Sequence, residues 1–133
     1  MNRISMSSQI SPLKNFTNTL ISFFEDLADT YTEEKDIRLA CDGLKALKAS
    51  NPRLILTMFM TSVYPVFKEP VMNRDEETLM KLAHDVLQTQ YSEISYAFWI
   101  FDKHWKNMSE ANKNHIWKYC TAMVLLAEKA SVS

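Results

Sequence analysis

Apolar residues recur along the chain in steps of three and four, the spacing of one face of a helix. Leu13, Phe16, Leu20, Phe23, Phe24 and Leu27 make the first such face. Ser11-Pro12 opens it with a capping hydroxyl and a proline suited to the first helical position. This helix is predicted to end near Asp29–Tyr31. Thr32 is placed to cap a second helix. Glu33, Glu34 and Asp36 sit in its first turn, where the macrodipole favours negative charge, and Ile37, Ala40, Cys41, Leu44 and Leu47 form its stripe. Asn51-Pro52 ends that helix and begins a third. From Leu54 to Tyr64 almost every position is apolar. A helix greasy on every side is buried on every side, so it belongs at the centre of the fold, or half in the core and half in an interface. Pro65 and Pro70 are predicted to bracket a bend at Val66–Glu69.

Asn73–Glu76 resembles a capping box, and Leu79, Leu82, Ala83, Val86 and Leu87 continue it as a fourth helix. Gln88–Ser92 is a weak break. A fifth helix is expected from about Glu93 to Asn107 on Ile94, Ala97, Phe98, Phe101, Trp105 and Met108. Ser109 caps a sixth, with Ile116, Tyr119, Cys120, Met123, Ala127 and Ala130 in its stripe. The expected fold is an all-α, single-domain bundle of about six helices with a central, nearly all-apolar third helix. Helices five and six are expected to form a hairpin. Residues 1–10 read as a polar tail, and 11–130 as the single helical domain.

Composition supports this class. The chain has 133 residues, 47% of them hydrophobic and 23% charged, enough for one core. It contains one glycine, Gly43, where average usage gives about nine. Tight hairpins, dinucleotide-binding turns and phosphate-cradling loops lean on glycine, so an all-β fold, a Rossmann fingerprint and a P-loop are excluded. The net charge is −1 and neither half is a polycation, which argues against dominant phosphate binding. Cys41 and Cys120 lie among apolar neighbours and read as buried free thiols of a reducing compartment. No secretory signal is visible at the N-terminus. The longest uncharged run, Leu54 to Phe67, is too short to span a bilayer. An intracellular protein without a membrane span is expected.

Candidate chemistry is sparse. His84, His104, His115, Cys41 and Cys120 make none of the usual zinc spacings. Neither cysteine has the exposed, basic surroundings of a nucleophile, although Arg38 and Lys45 flank Cys41. No serine signature and no Glu-x-x-His pair is present. No enzyme activity, metal or cofactor is expected.

Three surfaces remain. The apolar surplus comes first: the stripe Leu56, Met60, Val63 and Phe67, with Trp99, Ile100 and Trp117, which fall off their helices' core stripes. Exposed apolar patches mark partner surfaces, so these seven residues are the candidate interface of a non-catalytic interaction or assembly protein, through self-association or a protein partner. The second surface is basic and aromatic. Lys103, Lys106, Lys113 and Lys118 are interleaved with Trp105 and Trp117, as in single-strand nucleic-acid binding. A nucleic-acid-binding accessory factor using these lysines and Trp117 is the alternative function. Third, Glu25 to Asp36 holds six carboxylates against Lys35, a corner suited to a basic partner or a cation. Those at the first helix's end lack a dipole explanation.

Two stretches carry a resemblance. They are Lys45–Leu54 (Lys-Ala-Leu-Lys-Ala-Ser-Asn-Pro-Arg-Leu) followed by Asn73-Arg-Asp-Glu, and Asp102–Ser109 (Asp-Lys-His-Trp-Lys-Asn-Met-Ser) running into Ile116-Trp-Lys-Tyr. Over roughly residues 15–128 the chain resembles small helical proteins of unassigned role from nucleocytoplasmic large DNA viruses of algae and protists. The resemblance implies a viral accessory or virion-associated protein, in the host cytoplasm or the virion, and transfers no catalytic residue. The polar N-terminal tail is longer here than in that group.

Overall fold

The computed structural model describes residues 11–89 and 95–132. Helix α1 is Pro12–Thr30, α2 is Lys35–Ser50 and α4 is Glu76–Thr89. Helix α3 runs unbroken through an α-helical piece Pro52–Met58, a π-helical turn Phe59–Val63 and a second α-helical piece Tyr64–Met72. Helix α5 is Ser95–His104, followed by a 3-10 turn Trp105–Asn107, and α6 is Glu110–Ser131. No strand occurs among the described residues, so the all-α bundle of six helices stands. Of the expected break Gln88–Ser92, Gln88 and Thr89 are instead the last residues of helix α4, and the remainder lies outside the described residues, as do the expected tail at 1–10 and the positions of Glu93 and Ile94.

Local chemistry explains most boundaries. Ser11 accepts a hydrogen bond from the Lys14 amide at 3.0 Å, and Ser109 from the Asn112 amide at 3.1 Å. Asp75 does the same for Thr78, at 3.2 Å. Each side chain satisfies an amide that the first turn leaves without a partner. Thr32 is not the cap of α2. Glu34 is its boundary residue, and its carboxylate turns away to α5 rather than to the α2 amides.

The expected bend between Pro65 and Pro70 is replaced by continuous helix. The Tyr64 amide donates to the Phe59 carbonyl five residues back, and Val63–Pro65 restart the α-helix with proline in the first turn. An uninterrupted α-helix would drive the Pro65 ring against the Thr61 carbonyl. The wider π-turn lies immediately before it. Helix α3 then ends at Arg74, whose φ of 48° is left-handed. The Asp75 amide reaches the Pro70 carbonyl and the Arg74 amide the Val71 carbonyl, closing the helix as a Schellman motif. A left-handed non-glycine residue costs about 1–2 kcal/mol, and glycine returns part of that gain as chain entropy. Arg74 Nη1 also donates to Asn114 Oδ1 at 2.8 Å, so the comparison is made in an Asn114→Ala background. There Arg74→Gly should stabilise the protein by about 0.5–1 kcal/mol, read as a higher urea midpoint at unchanged slope.

Helix α1 packs against α2, α3 and α6, and it runs antiparallel to α2 and α6. Phe16, Leu20, Phe24 and Leu27 carry its stripe into the core. Helix α3 lies against α1, α2, α4 and α6, a central place, yet one side of it meets solvent. The hairpin is formed by α4 and α5, not by α5 and α6. The 3-10 turn and the extended residue Met108 redirect the chain. Helix α6 then returns along α1 and meets α5 mainly through side chains such as the Trp105–Trp117 pair.

The burial pattern corrects the candidate interface. Leu56 and Phe67 are 3% and 2% exposed, and Met60 and Val63 are half-buried against the same core. Leu56 and Phe67 belong to the inward face of α3 together with Ile55 and Phe59, Met60 and Val63 lie at its edge, and Leu54 and Val66, 41% and 38% exposed, are on its outer side. Ile100 and Trp117 are also core residues. A single stripe was too narrow a description of α5 and α6. Helix α5 packs against both α4 and α2, and α6 against both α1 and α3, so each buries a broad face. Trp117 is fixed edge-to-face against Trp105, with centroids 5.6 Å apart.

Candidate functional site

Trp99 is the candidate interface residue that stays outside, 45% exposed. It stands on α5 one turn before Lys103, and both face the start of α2. There Glu34 is buried and accepts from three side chains: His104 Nε2 at 2.6 Å, Lys103 Nζ at 2.8 Å and Trp99 Nε1 at 3.4 Å. Tyr31 stacks on the His104 ring at 4.4 Å, and the Lys103 ammonium lies 5.9 Å from the centroid of the Trp99 ring. These hydrogen bonds, from Lys103 first and then His104, hold the Glu34 carboxyl below its ordinary range despite its burial. The result is an exposed indole anchored through its N–H to a buried carboxylate.

Glu33 completes a group of three metal-ligating side chains with Glu34 and His104, their ligand atoms within 4.8 Å of one another. The Lys103 ammonium already balances Glu34, so a cation there would have to displace it. Three more carboxylates of the acidic corner are likewise engaged within the chain, and Asp36 is exposed. Asp29 pairs with Arg38 at 2.6 Å and Glu25 with Lys45 at 2.8 Å. Asp26 accepts from the Tyr119 hydroxyl at 2.6 Å and faces His115 at 3.4 Å. Burial, with Asp26 next, pushes the Tyr119 hydroxyl up to about 12. The carboxylates at the end of α1 thus have a structural reason after all: they tie α1 to α2 and α6.

The basic-aromatic segment is divided in the same way. Lys103 belongs to Glu34. Lys113 is largely buried, 3.6 Å from Glu76 and 5.2 Å from the centroid of the Trp105 ring. Lys106 and Lys118 remain exposed. Trp117 has no free ring face to offer a base. Trp105 is fully buried, and its indole N–H has no hydrogen-bond acceptor among the described residues.

Neither cysteine is poised to react. Both are buried, and desolvation raises both thiols, Cys120 to about 12. A disulfide-exchange reagent at pH 8 should therefore modify neither in the native protein and both after denaturation in urea.

The sequence places Trp99, Lys103 and Glu34 on three separate candidate surfaces and does not join the first two to Glu34. Its place in the first turn of α2 already accounted for its charge, and its partners lie 65 to 70 residues away. Among the described residues no helix is long and apolar enough to cross a membrane. No protein-family model, curated protein or solved structure matches the chain.

Proposed function

We propose that this chain is a non-catalytic interaction protein that assembles with another protein surface, its own copy or a partner's, through the face around Trp99. The observation that carries this reading is the anchored, exposed indole. Tryptophan supplies large contact area at small entropic cost and dominates many interface cores. Ordering Trp99 in advance, through Glu34 and Lys103, lowers the cost of binding further. The other exposed apolar side chains, such as Leu39 and Leu125, are ordinary singly placed residues unless a partner covers them. The resemblance to helical viral proteins supports an accessory or virion-associated role for such an assembly.

Sedimentation at micromolar concentration tests this. The wild type should form a dimer or larger species, or bring down a partner whose retention depends on Trp99. Trp99→Ser should be a folded monomer without that partner. A monomeric wild type whose co-purifying proteins are the same as those of Trp99→Ser would contradict the proposal.

A further inference from the structure

Beneath the π-turn the core holds a cavity of about 50 Å³. Phe59, Phe67, Phe98, Cys120, Met123 and Val124 are among its walls, and its exposed lining is wholly apolar. Of the lining residues only Val63, Tyr64 and Lys68 are not buried, which puts its opening where the π-turn hands over to the second α-helical piece of α3. Two of these three residues are latched across to α6. The Lys68 ammonium lies 2.8 Å from Glu128, and the Tyr64 hydroxyl donates to the same carboxylate.

We propose that this cavity is a binding site for small uncharged apolar molecules, entered past Val63, Tyr64 and Lys68. The space exceeds the roughly 10–15 Å³ that one water needs, but a buried water also needs two or more polar partners. The exposed lining provides none, the Tyr64 hydroxyl and Lys68 ammonium being turned to Glu128, so an apolar occupant gains contacts that a water cannot match. Its size sets the ligand class. A dry protein cavity of about 150 Å³ takes up benzene, so one a third as large suits a noble-gas atom or a short alkyl or haloalkyl molecule. A charged molecule is disfavoured, because the cavity's exposed lining is wholly apolar and offers it no partner. This site is independent of the Trp99 face.

Xenon is the probe. In methyl NMR spectra of the full chain under xenon pressure, the resonances of Leu20, Leu79 and Val124, all lining the cavity, should shift. Benzene should leave them in place. Val124→Ile and Cys120→Met each push a larger side chain into the space and should lose the xenon shift while keeping the wild-type helical spectrum. Absence of xenon shifts in the wild type, or shifts confined to methyls away from the cavity, would overturn the proposal, even if neither filled variant folds. Equal xenon shifts in a folded filled variant, or benzene acting as strongly as xenon, would overturn it as well.

Discussion

Aspartate at Leu56 or Phe67 should unfold the protein, and aspartate at Leu54 or Val66 should not. All four positions lie on the helix whose sequence is apolar on nearly every side, and composition does not tell them apart. Leu56 and Phe67 pack into the core against α1 and the helices beside it. A carboxylate there loses its hydration with no partner, a cost of several kcal/mol against a total stability of about 5–15 kcal/mol. The lost apolar packing adds to this. Leu54 and Val66 keep enough solvent contact for a carboxylate to stay hydrated, and substitutions at such sites are usually within about 0.5 kcal/mol. Far-UV circular dichroism with urea titration separates the two outcomes. Equal unfolding by all four substitutions would mean that α3 is enclosed on every side.

Removing the Glu34 carboxylate should destabilise the protein by about 1 kcal/mol, because His104 loses its acceptor in a partly buried corner, whereas Lys103 and Trp99 are exposed enough for water to replace theirs. Glu34→Ala should also make Trp99 more mobile, since its N–H loses its anchor. The effect carries a pH signature. The Glu34 carboxyl in the folded protein is held below its ordinary value of 4.5, by Lys103 first and His104 second. A group with a lowered folded-state pKa contributes fully above its unfolded value, and the contribution is lost as pH falls through the folded one. The wild type should therefore weaken below about pH 4.5, and Glu34→Gln should show a shallower acid loss. An identical acid profile in the two proteins would show that the carboxylate is not the group that links α2 to α5.

How legible this was in the sequence differs from element to element. Ser11 and Ser109 mark helix starts through short-range chemistry, and both capping bonds are present, whereas in the expected capping box Asn73–Glu76 the cap is Asp75 and Asn73 instead ends α3. The steps of three and four also identify the stripe of α1 correctly. The inward face of α3 was not legible, because a helix without a polar side gives no contrast from which to read its orientation. The π-turn also shifts its phase partway along. Trp117 and Ile100 fell outside stripes drawn for one neighbour, whereas each lies between several helices. At the acidic corner the sequence shows the charges but not their partners. Asp26 meets Tyr119 across 93 residues and Glu34 meets His104 across 70, distances that only the packing of α1, α2, α5 and α6 closes.

Acrylamide quenching of tryptophan fluorescence across a range of protein concentrations tests the central claim most directly. Trp105 and Trp117 are buried, so the quenchable emission belongs to Trp99. The account predicts a quenchable component in dilute protein that Trp99→Phe removes, and that shrinks as the chain self-associates or as its partner is added. A component that survives Trp99→Phe would place another indole at the surface. One that stays the same at every concentration and with every protein co-purified with the wild type would contradict an interface built on Trp99.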